Sequence, residues 1–276
     1  MQKATSKDGT AIAFEKAGQG PAIILVGGAL SDRSAAAPLA SLLAPHFTVF
    51  AYDRRGRGDS GDTAPYAVER EVEDTGALIE EAGGSAFVLG HSSGAALALE
   101  AAARGLAITR LALYEPPFIV DDSRPPLPKD YVAQLDKLVS AGRRGDAVEY
   151  FMKEAVGVPD NLLAQMRDMP AWAEMEKMAH TLAYDGKVMG DNMAGNTLRA
   201  KQWTSVTVPT LVMDGGASPA WARNAVQAVA DVLPNAQRRT LEGQTHGVDP
   251  AALAPILVEF FQARDEPFVA SQRATK

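Results

Sequence analysis

Gly90-His91-Ser92-Ser93-Gly94 is the stretch that decides how this chain is read. A short apolar run, Phe87-Val88-Leu89, precedes it, and the small-residue run Ala95-Ala96-Leu97-Ala98 follows. That is a G-x-S-x-G pattern set between a strand and a helix. The pattern by itself is common, and the strand-before, helix-after context is what gives it meaning. In that context the serine sits on a strained tight turn, and the two glycines let strand and helix approach closely. The helix N-terminus then directs free N–H groups at a reacting carbonyl. Ser92 is therefore the candidate nucleophile. Ser93 is the rival hydroxyl but lies off the centre of the turn, where its backbone N–H is better placed to stabilise an oxyanion.

Working outward, further short apolar runs share this form. Ala22–Val26 ends in Gly27-Gly28, residues 47–52 end in Asp53, and residues 111–114 end in Glu115-Pro116-Pro117. These read as strands buried on both faces of a parallel sheet. Helical patterns over 34–43, 67–82 and 94–104 lie between them, and this βαβ order implies right-handed crossovers. Residues 5–17 read as an antiparallel hairpin with Asp8-Gly9 at the turn. From 119 to 203 strand-like runs vanish, and helices are expected near 129–141, 146–156, 161–166 and 171–182. Alternation then returns with strands at 210–213 and 238–241 and helices over 220–233 and 251–263. The predicted organisation is an α/β core of residues 1–118 and 204–276 interrupted by a helical insertion, 119–203. The tail, 265–276, reads as loosely ordered.

Composition narrows the chemistry. With no cysteine among 276 residues, disulfides, thiolate catalysis and thiolate metal sites are excluded. A net charge of −7 disfavours nucleic acid or an anionic membrane as partner. The N-terminal stretch lacks the apolar core of a secretory signal, and no run of about 18 apolar residues suggests a membrane span. The expectation is a cytoplasmic enzyme acting on a small molecule without cofactor or metal. Oligomeric state is left open.

The chain resembles the α/β-hydrolase superfamily over roughly residues 5–264. Three motifs carry the likeness: Leu25-Val26-Gly27-Gly28-Ala29, Tyr52-Asp53-Arg54-Arg55-Gly56-Arg57-Gly58-Asp59-Ser60, and the serine turn itself. The resemblance implies a mostly parallel sheet with helices on both faces and a helical cap. It also implies an oxyanion hole from the backbone N–H groups of Ala29 and Ser93. Members often carry His-Gly-x where this chain has Gly27-Gly28-Ala29, a loss of little consequence because the donor is main chain. The 53–60 stretch matches a structural loop of the family, and its glycines do not form a dinucleotide fingerprint. Of four histidines, His246 in Gly243-Gln244-Thr245-His246-Gly247 holds the family's position for the general base, and the order Ser…His agrees. His91 lies in the turn with its side chain off the attack line, His46 precedes a strand, and His180 falls in the insertion.

The acid departs from the family pattern. Aligning 210–219 puts Ser218 where an Asp is usual, and serine carries no charge to steady an imidazolium. Two carboxylates compete, Glu115 as the expected acid and Asp214 as the alternative. Glu115 ends the strand before the insertion, where certain haloalkane dehalogenases of the superfamily keep their acid. Asp214 ends the 210–213 strand, with a turn-capping role as its bland alternative. Seven of the nine methionines (Met152, Met166, Met169, Met175, Met178, Met189 and Met193) fall in the insertion with Trp172, Tyr184 and Trp203. Some of these are expected to line an adaptable apolar pocket. The first functional reading is hydrolysis of an ester, thioester or lactone through an acyl-enzyme on Ser92. The alternative is non-hydrolytic chemistry on the same fold, as in cofactor-free perhydrolases, C–C hydrolases or lyases. A ligand receptor on the scaffold is a third reading.

Overall fold

The structure is a computed structural model that describes residues 1–198 and 202–263. Eight strands form one sheet in the order β1-β2-β4-β3-β5-β6-β7-β8. β1 (Gln2–Thr5) and β2 (Ala11–Ala17) form an antiparallel hairpin whose first strand starts at Gln2, ahead of the expected range 5–17, with Gly9 at φ 84° in its turn as expected. β2 also runs antiparallel to β4 (Thr48–Tyr52). From there the sheet is parallel through β3 (Ala22–Val26), β5 (Ala86–His91), β6 (Ile108–Tyr114), β7 (Thr210–Gly215) and β8 (Ala236–Leu241).

Alternation along the strands divides the core into two layers. Ile24, Val26, Phe50 and Leu113 join one cluster with α2 (Val68–Glu81), α3 (Ser93–Ala103) and α9 (Ala220–Val232). Ile23, Leu25, Val49 and Tyr114 join the other, with α1 (Ala37–Leu43) and α10 (Pro250–Gln262). Both sheet faces are thus covered, which is why these strands read as continuous apolar runs. After β3 the chain steps to β4 on one side; after β5 it steps to β6 on the other. The crevice at the carboxyl ends of β3 and β5 is therefore a topological switch point, where open α/β sheets bind ligands.

Between β6 and β7 lie α4 (Tyr131–Ser140), α5 (Arg144–Phe151), α6 (Asp160–Arg167), α7 (Pro170–Met178) and α8 (Leu182–Met189). Tyr131, Leu135, Val148, Trp172 and Leu182 give these helices an apolar cluster of their own. Two expectations need correction. The helix predicted over 146–156 is α5 followed by a π-helical turn, Met152–Val156, stopped by Gly157 at φ 83°. The helix predicted over 171–182 ends at Met178; after a single 3₁₀ turn, α8 begins as a separate helix. Gly186 reads as a breaker yet lies inside α8. A Cβ there would approach Val132 Cγ2 to 2.7 Å, so the glycine serves close packing on α4. Several strands extend one to three residues beyond their apolar cores, as β5 and β8 do. The predicted tail, 265–276, lies outside the described residues.

Candidate active site

Ser92 follows β5 directly and caps α3, with φ 58° and ψ −128°. An L-residue rarely holds such a conformation, at a cost of about 1–3 kcal/mol. Gly90 and Gly94 make it possible: a Cβ on Gly90 would lie 2.5 Å from Ala95 Cα, and one on Gly94 2.3 Å from Val26 O. The Ser92 N–H donates to Tyr114 O at 2.9 Å, so the neighbouring strand holds the turn. Among the described residues two further non-glycine residues have positive φ, Leu30 (52°) and Glu115 (43°). Both lie just beyond strand ends around the same crevice, after β3 and β6. Backbone strain is thus gathered where the sequence places the chemistry.

The structure brings Glu115 and His246 together. Glu115 Oε2 lies 2.8 Å from His246 Nδ1, and Glu115 Oε1 accepts from the Gly215 N–H at 2.8 Å. Glu115 is 1% exposed and the His246 side chain 47%. Burial by itself would raise the Glu115 carboxyl, but His246, the nearby Ser218 hydroxyl and the Gly215 N–H outweigh it and hold the group below the usual carboxylate range. Ser218 is buried at the same place, and its hydroxyl makes no hydrogen bond of ordinary geometry. The alternative acid, Asp214, goes elsewhere. Its carboxylate takes two bonds from Arg238, at 2.9 and 3.0 Å, and a longer contact from Thr240, so it ties β7 to β8. With Nδ1 of His246 occupied by Glu115, Nε2 remains for the cavity that Ser92 also lines.

The other histidines separate. His46 is exposed before β4, and His180 sits 3.7 Å from Asp62 Oδ2. His91 is closer to the chemistry than expected. Its Nε2 lies 2.9 Å from His246 O, and the two rings are 5.0 Å apart. Burial, reinforced by the neighbouring His246, pushes the His91 imidazole down to about 4. A neutral His91 donating from Nε2 clasps the loop that carries His246, and Tyr114 Oη donates to Thr245 O at 2.7 Å beside it.

The arginine loop after β4 is buried rather than open to an anion. Arg54, Arg55 and Arg57 are each 2% exposed or less. Arg54 grips Glu71 at 2.7 and 2.8 Å, and Arg55 grips Asp74 at 2.8 and 2.7 Å. Asp185, from α8, is the partner that sequence reasoning missed. It accepts from Arg54 Nη1 at 2.7 Å, from Arg57 Nη2 at 2.9 and 2.8 Å, and from Ser93 Oγ at 2.7 Å. Three arginines in four residues after a buried strand were the available signal, since buried guanidiniums require carboxylates.

Ser92, His246, Glu115, Ala29 and Ser93 all line one cavity of about 650 Å³. Tyr131, Phe151, Met152, Val156, Met189 and Trp221 supply much of its apolar wall. Of the seven insertion methionines, Met152, Met189 and Met193 reach it. Met166 and Met175 pack into the helical cluster, and Met169 is exposed. Trp172 and Trp203 are core residues, while Tyr184 stacks on Tyr66 with ring centroids 3.9 Å apart. Among the described residues no group of three or more His, Asp or Glu is disposed to hold a metal, and no helix is long and apolar enough to cross a membrane.

Comparison with known proteins gives the same picture of the fold. A family model described as the alpha/beta hydrolase family matches residues 23–256. An alpha/beta hydrolase from Sphaerobacter thermophilus DSM 20745 superposes with a TM-score of 0.88 at 63% identity, covering 94% of this chain and 100% of its own. The enol-lactonase of Burkholderia xenovorans LB400 superposes at 0.69 with 24% identity, covering 95% of this chain and 100% of its own. The N-formylmaleamate deformylase of Pseudomonas putida is 33% identical over 140 residues, which are 49% of this chain and 52% of that protein. This chain therefore matches about half the length of that curated relative.

Proposed function

The chain belongs to the alpha/beta hydrolase family, and from that premise we propose that it cleaves a small neutral ester, thioester or lactone through an acyl-enzyme on Ser92. The observation that carries this reading is the 2.8 Å contact from Glu115 Oε2 to His246 Nδ1, in a cavity that Ser92 shares. In the proposed cycle Ser92 Oγ attacks the acyl carbon while His246 Nε2 takes its proton. The imidazolium then faces the Glu115 carboxylate. The N–H groups of Ala29 and Ser93 receive the oxyanion, and His246 returns the proton to the leaving alcohol or thiol. Water activated by His246 releases the acid and restores Ser92.

Charge supports a neutral substrate. The arginines among the cavity's described lining residues are Arg33 and Arg54, and both are already paired: Arg33 with Asp53, Asp59 and Glu15, Arg54 with Glu71 and Asp185. A substrate carboxylate would meet no uncompensated charge there, and the remaining wall is largely apolar. Wild-type protein mixed with p-nitrophenyl butyrate in excess should release a burst of one nitrophenolate per chain, and Ser92→Ala should abolish it. A burst retained by Ser92→Ala would overturn the assignment. A second reading, cleavage of an amide-type C–N bond, is favoured by the deformylase relative. Parallel assays on a p-nitrophenyl ester and the matching N-acyl or N-formyl amide separate the two by kcat/KM.

A further inference from the structure

Gly28 lies against the nucleophile: a Cβ placed on it would be 2.8 Å from Ser92 Cβ and 3.4 Å from Ser92 Oγ. Its carbonyl is held by two donors. Ser31 Oγ donates to it at 2.7 Å, and Arg57 Nη1 donates to it as well. In a planar trans peptide the C=O of one residue and the N–H of the next point in opposite directions. Fixing the Gly28 carbonyl therefore fixes the direction of the Ala29 N–H. Arg57 in turn is held by both oxygens of Asp185. The same carboxylate accepts from the side chain of Ser93, whose backbone N–H is the other oxyanion donor.

Asp185 is thus joined to both halves of the oxyanion hole, from a helix that belongs to neither. It is 4% exposed and lies 128 residues along the chain from Arg57 and 92 from Ser93. Burial alone would raise its carboxyl, and the Arg57 and Arg54 guanidiniums more than offset this, so it stays ionised. Arg54 and Arg57 face the two carboxylates Glu71 and Asp185, a balanced cluster with no charge left over. Nothing in the proposed reaction requires Asp185 to touch substrate.

We propose that Asp185 is a positioning residue that aligns the Ala29 and Ser93 N–H groups, so that seating of α8 on the core and completion of the oxyanion hole are one event. This rests on the serine-hydrolase reading above. An aligned hole acts on the tetrahedral oxyanion more than on the ground-state carbonyl, so misalignment lowers kcat while leaving KM nearly unchanged.

The test uses wild type, Asp185→Asn and Ser31→Ala. Ser31→Ala removes one of the two pins on the Gly28 carbonyl from a half-buried loop position and keeps the falsification open should Asp185→Asn fail to fold. Each is assayed for kcat and KM on p-nitrophenyl butyrate and for the affinity of an aliphatic trifluoromethyl ketone, which forms a tetrahedral oxyanion on a serine. Asp185→Asn should lose about 10- to 100-fold in kcat and Ser31→Ala about 3- to 10-fold, with KM within twofold. The ketone affinity should fall in step with kcat. A folded Asp185→Asn with kcat and ketone affinity within twofold of wild type overturns the proposal. So does Ser31→Ala at wild-type values, or a rise in KM at constant kcat. If wild type neither binds the ketone nor turns over the ester, the hydrolase reading itself fails, a result distinct from failure of the variants alone.

Discussion

Replacing Glu115 by Gln removes one charge at nearly constant shape, and its effect can be worked from the geometry. The carboxylate is 1% exposed, while its partner His246 is 47% exposed, so the pair is neither dry nor fully solvated. At about 4 Å between charge centres, the attraction is about 1 kcal/mol in water and about 4 kcal/mol at an effective dielectric of 20. With one member buried, about 2–4 kcal/mol is expected, or roughly 30- to 700-fold at about 1.4 kcal/mol per tenfold. The imidazolium exists only once proton transfer has begun, so the loss belongs in kcat. Gln still accepts the Gly215 N–H, which should keep the strand ends in place. Steady-state hydrolysis of p-nitrophenyl butyrate by wild type, Glu115→Gln and Asp214→Asn reads the outcome. Asp214→Asn should keep kcat within threefold while losing about 1–3 kcal/mol of stability in urea, because Arg238 loses its ion pair. The reasoning is refuted if Glu115→Gln retains wild-type kcat, or if Asp214→Asn is the variant that loses it.

Three other predictions rest on separate observations. Gly28→Ala should lower kcat at least about 100-fold and also lower the melting temperature, because the new methyl crowds the Ser92 Cβ and the His91 carbonyl in a buried turn. His91, neutral in the fold because its imidazole is pushed down to about 4, is protonated in the unfolded chain below about 6.5. The unfolded state thus binds more protons between those values, and stability must fall as pH drops through that window. In His91→Gln, urea melts from pH 7 to pH 4 should show a shallower loss than wild type; an unchanged slope contradicts the assignment. Trp203, 1% exposed, stacks on Phe118 and donates from Nε1 to Glu100 at 3.1 Å. Trp203→Ala should cost about 3–5 kcal/mol in chemical denaturation.

How much of this was legible in the sequence follows from the range of each interaction. The Ser92 turn depends on five consecutive residues and the elements beside them, so local pattern suffices. The family resemblance puts Glu115 ahead of Asp214, because Ser218 stands at the usual acid position and cannot carry charge and some members keep an acid after this strand. Side-chain direction then separates the two carboxylates. Both residues end strands, but Glu115 leaves β6 with φ 43°, whereas Asp214 stays in the regular pleat of β7 and meets Arg238 across the strand pair. Asp185 was invisible because its partners lie 92 to 131 residues away and its helix contains Gly186 and ends before Gly190, both of which read as breakers. The methionines illustrate the opposite limit. Their sequence positions group them in the insertion, yet local structure decides their exposure: Met152 and Met189 reach the cavity, while Met169, the extended residue before α7, faces solvent.

Intact-mass spectrometry with a fluorophosphonate tests most directly whether Ser92 is the nucleophile. Wild type should gain one phosphonyl group per chain, and trypsin digestion should place it on Ser92 within the peptide of residues 71–104, which is bounded by Arg70 and Arg104. His246→Ala should slow labelling by at least about 100-fold and Ser92→Ala should abolish it. A wild-type chain that remains unmodified, or one whose adduct falls outside that peptide, would contradict the central claim.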